Sequence, residues 1–358
     1  MHAVVFQTLL KEWHKKSGRI LPWVSESNPY KIWVSEVILQ QTRVRQGLPY
    51  YLRFIQTFPD IYALAHASEH EVFKCWEGLG YYNRARNLHW SAKHIVNQHF
   101  GEFPKKYEDL IALKGVGPYT AAAIASFAFS LPYAVLDGNV HRVLSRIFSL
   151  KADISKPSGR KIIQLKADEL IDKDQPGAFN QGLMDLGATV CLPSSPLCHQ
   201  CPFAENCHAF LTESQSEYPL KISKSPLRNR YFQIFFVHSS TEFLVTQRKD
   251  QDVWKGLNAL PLIETNGEDW EFPDDGFTIS GMNIPKNKVW NLVQRDTQRL
   301  THQKVHLSYH LIKLSDFREM MPGGDVTIAP LSEIKNQVFP KFLHRFIEKN
   351  KNIFLSIN

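Results

Sequence analysis

The sequence predicts a mainly α region joined to a smaller α+β domain, and three observations predict it. From Thr8 to Phe210 apolar residues recur at three- and four-residue intervals between Pro, Gly and Asn breaks, the pattern of short amphipathic helices. Residues 213–230 hold four Ser, two Pro and several Lys and Arg without periodicity, which reads as an exposed linker. Beyond it, aromatic and β-branched residues become dense, as strands require.

At 358 residues the chain is long enough for two or three units, each with its own core. With 43% hydrophobic and 22% charged residues, wholesale disorder is excluded. No apolar run is long enough to span a bilayer, and the amino terminus lacks the succession of a secretory signal, so the expectation is an intracellular protein, bacterial-type and cytoplasmic, monomeric, with no membrane partner. The net charge of +7 is uneven: residues 1–150 hold 17 Lys+Arg against 11 Asp+Glu, and residues 151–215 hold 6 against 8. That bias suits a polyanionic partner but does not identify one.

In the carboxy-terminal part, Tyr231–Val237 and Glu242–Gln247 flank a Ser-Ser-Thr turn and predict a hairpin. Val305–Leu314 predicts a further strand, and Lys341–Lys349 a closing helix.

Cys191, Cys198, Cys201 and Cys207 fall within seventeen residues, separated by six, two and five positions. Thiols this close in a reducing compartment point to a soft metal centre rather than disulfides. Only one Cys-x-x-Cys pair is present, so the spacing departs from zinc ribbons and from ferredoxins and leaves zinc and iron–sulfur both open. Cys75 stands alone and reads as a small core residue.

The run LKGVGPYTAAA (113–123) places Gly115 and Gly117 in a tight turn before an Ala-rich helix, with Pro118 in its first turn. Free amides at such a start bind a phosphate without reading sequence, although a plain helical connection has the same composition. Eighteen positions after Tyr119, Asp137 opens LDGNVHRVL as a natural N-cap. Glu36 lies in KIWVSEVILQQ among Ile32, Trp33, Val37, Ile38 and Leu39; buried there, its pKa would rise toward neutrality.

Together with SEVILQQTRV (35–44), GLGYYNRARNL (78–88) and LGATVC (186–191), these motifs resemble the helix–hairpin–helix DNA glycosylase superfamily, and MutY-type adenine glycosylases in particular. The resemblance covers roughly Thr8 to Phe210. It implies two helical lobes in residues 1–212: a six-helix subdomain at about 25–137 and an iron–sulfur subdomain from 1–24 and 138–212. A [4Fe–4S] cluster on the four cysteines is implied with it. The linker, 213–230, would lead to a MutT/Nudix-like domain at 231–358, weakly matched through WKGLNALPL (254–262) and RLTHQ (299–303).

The implied activity is base excision repair: removal of adenine mispaired with 8-oxoguanine or guanine in double-stranded DNA. Cleavage needs an acid for the base and an anion for the sugar cation, roles the resemblance gives to Glu36 and Asp137, with Asn139 beside Asp137. Tyr119 stands where endonuclease III has a lysine, and His141 where some MutY enzymes have one, so the implied reaction is monofunctional. The base must leave the stack. By resemblance Gln41 and Tyr81 enter the stack, Thr42 and Leu79 lie by the orphaned partner, Trp23 and Gln181 wall the adenine pocket, and Arg84, Gly115 and Gly117 contact DNA.

This chain departs from some relatives at Val24 and Gln181, and Leu300, Thr301 and His302 stand for a Phe-Ser-His recognition loop. Thr301 and His302 remain the candidates for 8-oxoguanine. Two other readings stay open: a bifunctional endonuclease III-like enzyme for oxidised pyrimidines, and a non-catalytic DNA-binding iron–sulfur protein.

Overall fold

The computed structural model describes residues 1–24, 26–220, 226–248, 253–268, 270–271, 273, 276–279, 282–284, 290–314 and 326–351. Residues 221–225 of the expected linker, and parts of the expected carboxy-terminal domain, lie outside them. Among the described residues no helix is long and apolar enough to cross a membrane. The chain forms two compact units, one of residues 1–72 and 84–223, the other of residues 73–83 and 224–358. Segment 73–83, expected within the helical region, thus groups with the second unit, where the Lys74 ammonium donates to the Lys335 carbonyl at 3.0 Å.

The chain up to residue 212 is helical: α1 (Ala3–Ser17), α2 (Pro29–Leu39), α3 (Val44–Thr57), α4 (Ile61–His66), α5 (Glu69–Trp76), α6 (Asn83–His99), α7 (Tyr107–Ile111), α8 (Pro118–Phe129), α9 (Gly138–Phe148), α10 (Pro157–Leu170), α11 (Pro176–Thr189) and α12 (His208–Leu211). Helix α2 starts where the Asn28 side chain accepts from the amides of Tyr30 and Lys31 and where Pro29 takes a first-turn position. Tyr30 and residues 32–38 are all buried, so α2 is enclosed on every side and anything polar on it loses water. Phe6 and Leu10 of α1 pack with Val140, Val143, Leu144, Ile163, Leu183 and Leu186 in one core.

The second unit holds β1 (Arg228–His238), β2 (Glu242–Gln247), β3 (Asn258–Ala259), β4 (Leu262–Thr265), β5 (Phe277–Ile279), β6 (Met282–Ile284), β7 (Trp290–Arg299), β8 (Gln303–Lys313), β9 (Val326–Pro330) and α13 (Lys341–Lys349). The main sheet runs β3-β2-β1-β8-β7, with β4 also on β1 and β9 on β2. Strand β1 meets β2 at His238↔Phe243, but its long partner is β8, parallel from Arg228↔Gln303 to His238↔Lys313. The expected hairpin is present as β1 and β2, set within a mixed sheet. Phe232, Ile234 and Phe236 face a core shared with Phe342, Leu343 and Phe346 of α13, while Phe235 and Val237 face a second core with Leu244 and Ile312. Burial on both faces explains why β1 reads as a continuous apolar run.

Candidate active site

Two helices bring the first pair of groups together. Gln40, at the end of α2, donates from Nε2 to Thr120 Oγ1 of α8 at 3.1 Å, and the adjacent residue Tyr119 comes close enough to Glu36 to act on its carboxyl. Glu36 is only 6% exposed. Burial pushes its carboxyl up to about 7, the negative charge of Asp137 adds to the rise, and the Tyr119 hydroxyl opposes it by favouring the anion. Tyr119 is held well above the usual phenol range by burial and by the charges of Glu36 and Asp137, so it remains a neutral donor. Its hydroxyl also lies 3.7 Å from the Met184 sulfur of α11.

Asp137 is the N-cap of α9, accepting from the Val140 amide at 2.7 Å and from Asn139 Nδ2 at 2.8 Å. Burial raises its pKa, while those two donors and the charge of Arg142 oppose the rise. Among the described residues no comparable set of donors acts on Glu36. The donors at Asp137 favour its ionised form.

Arg142, which the sequence reading did not single out, holds this arrangement to the cysteine loop. Its Nη2 donates to Asn139 Oδ1 at 2.9 Å and to the Gly187 carbonyl at 2.6 Å, and its Nε to the Cys191 carbonyl at 2.7 Å. A Cβ at Gly187 would come within 2.6 Å of Asn139 Cβ, which is why α9 and α11 can approach only through a glycine there. The spacing of Asn139 and Arg142, one helical turn, was the available signal.

The four cysteines line one cavity together with Val143, Ile147, Leu186 and Phe210. Among the described residues no group of three or more His, Cys, Asp or Glu side chains is gathered tightly enough for a single metal ion. Buried Arg146 donates to Cys191 Sγ at 3.4 Å and to the carbonyls of Leu192 and Pro193 at 2.7 and 3.1 Å, and Gln215 Nε2 lies 3.9 Å from Cys198 Sγ. Burial, and then the neighbouring sulfurs, push the Cys201 thiol up to about 12, so four thiolates here would need a cationic centre to hold them. Cys75 is buried, as expected of a core residue.

At the hairpin, Gly115 has φ +81 and the Val116 amide donates to the Leu113 carbonyl, closing the turn before α8. Gly117 caps α8, and where a Cβ would stand there is open space, which leaves the first amides approachable. Trp23 is buried edge-on against Tyr51, with ring centroids 5.1 Å apart. His141 is buried, and burial lowers its pKa, which makes it a neutral packed residue.

Gln41 has φ +57, a left-handed backbone that side chains other than glycine adopt seldom and at a cost, and Thr42 beside it is buried. Arg84 donates from Nη1 to the carbonyls of Val37, Ile38 and Gln40 at 2.9, 2.9 and 2.5 Å, so its visible role is to close the carboxy end of α2.

In the second unit, the sequence pair Tyr81–Tyr82 separates in space. Tyr81 has φ +51 and is 49% exposed, whereas Tyr82 is buried against Phe73. Leu79 is buried beside them. Thr301 and His302 occupy the exposed tip between β7 and β8, where the Leu300 amide donates to the Gln303 carbonyl at 2.8 Å. The Tyr81 hydroxyl and Thr301 Oγ1 share a hydrogen bond.

Residues 34–169 match the family described as HhH-GPD superfamily base excision DNA repair protein. An adenine DNA glycosylase of Buchnera aphidicola subsp. Acyrthosiphon pisum is 35% identical over 99% of this chain and 100% of its own. One of Schizosaccharomyces pombe is 39% identical over 90% of this chain and 82% of its own. Among solved structures, a thermostable thymine-DNA glycosylase, 27% identical, superimposes with a TM-score of 0.53 over 59% of this chain and 97% of that one.

Proposed function

Because the chain belongs to the adenine DNA glycosylases, enzymes of base excision repair that act on DNA, we propose that Glu36, Tyr119 and Asp137 form its reaction centre and that its substrate is adenine opposite 8-oxoguanine or guanine. The observation that carries this reading is the Glu36 carboxyl buried on α2, 6% exposed, whose pKa burial and the charge of Asp137 both raise.

Protonated Glu36 gives its proton to a ring nitrogen of the extruded adenine, and the electron pair of the bond to C1′ leaves with the base. Ionised Asp137 stabilises the cationic sugar, with Asn139 fixing its carboxylate. Water adds to C1′ and returns a proton to a carboxylate, so the products are free adenine and an abasic site. Tyr119 offers no amine, and the reaction ends there without strand cleavage.

Trp23 and Gln181 are assigned to the adenine pocket, and Gln41, Thr42, Leu79, Tyr81, Arg84, Gly115 and Gly117 to the DNA contacts. The left-handed backbones of Gln41 and Tyr81 support a wedging role. Thr301 and His302, exposed at a hairpin tip with Tyr81 in contact, are assigned to the opposite 8-oxoguanine. Cys191, Cys198, Cys201 and Cys207 are the proposed ligands of a [4Fe–4S] cluster, supported by the shared cavity and by the donors on two of the sulfurs. Bound there, the cluster would cross-link the loop and carry a net charge that Arg146 complements.

The test is to incubate the protein with duplexes holding adenine opposite 8-oxoguanine, guanine or thymine, then to heat in alkali. Breakage at adenine, fastest opposite 8-oxoguanine, is the expected result. Equal rates opposite all three partners would remove the lesion assignment, and no breakage with any would remove the reaction centre.

A further inference from the structure

Asp185 lies on α11 with no solvent exposure, yet takes four hydrogen bonds. His14 Nε2 and the Arg19 amide meet Oδ2 at 3.1 and 2.9 Å, and Arg19 Nε and Gln181 Nε2 meet Oδ1 at 2.7 and 2.8 Å. Burial opposes its ionisation, but the hydrogen bonds from His14 and Arg19 and the charge of Arg19 outweigh that and hold its pKa below the usual range. An ionised carboxylate can only accept, so all four partners must present N–H groups to it.

For Gln181 this settles which end of the amide turns away. Its NH2 is held by Asp185, and among the described residues its carbonyl oxygen has no hydrogen-bond partner although the residue is only 7% exposed. Gln181 sits one helical turn before Met184, whose sulfur meets Tyr119, and Arg19 is close enough to act on the Tyr119 hydroxyl electrostatically. The network therefore borders the reaction centre rather than some remote part of the core.

An acceptor at that place complements the exocyclic amine of adenine and opposes a carbonyl at the same ring position. We propose that Asp185, braced by Arg19 and His14, is a positioning residue that fixes the Gln181 amide with its oxygen toward the base, and so selects a 6-amino purine over a 6-oxo or unsubstituted one. The assignment rests on the reading that puts Gln181 at the adenine pocket. A purely structural role, tying the end of α1 to α11, makes a different prediction.

The experiment measures single-turnover excision by the full chain from one duplex context carrying adenine, hypoxanthine or unsubstituted purine opposite guanine. Asp185→Asn can donate to the Gln181 oxygen and so releases the amide to turn over. The adenine-to-purine ratio should fall about tenfold and hypoxanthine should gain relative to adenine. If the rates for all three bases fall together, or none changes, Asp185 does not position the amide.

Gln181→Leu separates the two layers of the argument. Loss of the ratio in Gln181→Leu but not in Asp185→Asn overturns the positioning role alone, and an unchanged ratio in Gln181→Leu overturns the pocket assignment beneath it. Arg19→Gln keeps the backbone donor and removes only the charged one. Should Asp185→Asn fail to fold, that variant carries the same expectation at about threefold, and an unchanged ratio there counts against the proposal.

Discussion

The Tyr119 hydroxyl donates to the Met184 sulfur at 3.7 Å and acts on the buried carboxyl of Glu36, and of the two named influences of neighbouring side chains on that acid it is the one that favours ionisation. Asp137 acts the other way. The proton on Glu36 is therefore set by burial and the charge of Asp137 against one phenol, and that balance can be moved.

Glu36→Gln removes the acid without removing the shape. Base excision should fall by at least about a hundredfold, while binding to a mispaired duplex stays within about threefold. Single-turnover excision and a binding titration on the same duplex check this. Equal loss of both would mean that Glu36 serves docking.

With Glu36 raised to about 7, the rate of base removal should decline as pH rises through that value, because the acid form disappears. Tyr119→Phe takes away the donor to the anion, so the folded pKa should rise further. The alkaline limb of the profile should move upward by about one unit. A limb that stays in place would assign it to another group.

The same shift is a statement about stability. A carboxyl whose folded pKa lies above its unfolded value of 4.5 favours the fold below that value, and the advantage is lost as pH rises through about 7. Glu36→Gln should therefore be more stable than the parent at pH 8, by at most about 3 kcal/mol, with the gap closing near pH 4. Thermal melting at the two pH values reads it. A constant offset would contradict the buried acid.

Arg142→Gln breaks the donors to Asn139, Gly187 and Cys191 at once. Stability should drop by about 2 kcal/mol, and excision should fall more than DNA binding because Asn139 loses its orientation. Iron and sulfide content, measured alongside, shows whether the cysteine loop loosens with it.

Borohydride added during the reaction should trap no covalent adduct, since Tyr119 has no amine to form a Schiff base. Strand breaks should need alkali. A trapped adduct as a major product would point to a lysine elsewhere reaching C1′.

Much of this was legible in the order of residues. The cysteine spacing, the paired glycines before Pro118 and the N-capping Asp137 are local features whose meaning depends on neighbours a few positions away, and helix and strand periods are local too. The range of α13 could be read in advance for the same reason. The sequence alone could not separate Tyr81 from Tyr82, because which of two adjacent aromatics is buried depends on whether Phe73 is there to receive it. Nor could it show that β1 runs parallel to β8, since that partner begins far along the chain.

By itself, then, the sequence determined the helical class of the first region and which groups are candidates for the chemistry, for these follow from short-range preferences. Tertiary structure alone decided the burial that raises Glu36, the bond that turns the Gln181 amide toward Asp185 and the tie through Arg142. Each of these depends on desolvation or on a donor brought in from a distant helix, and a pKa or an amide orientation exists only once those partners have met.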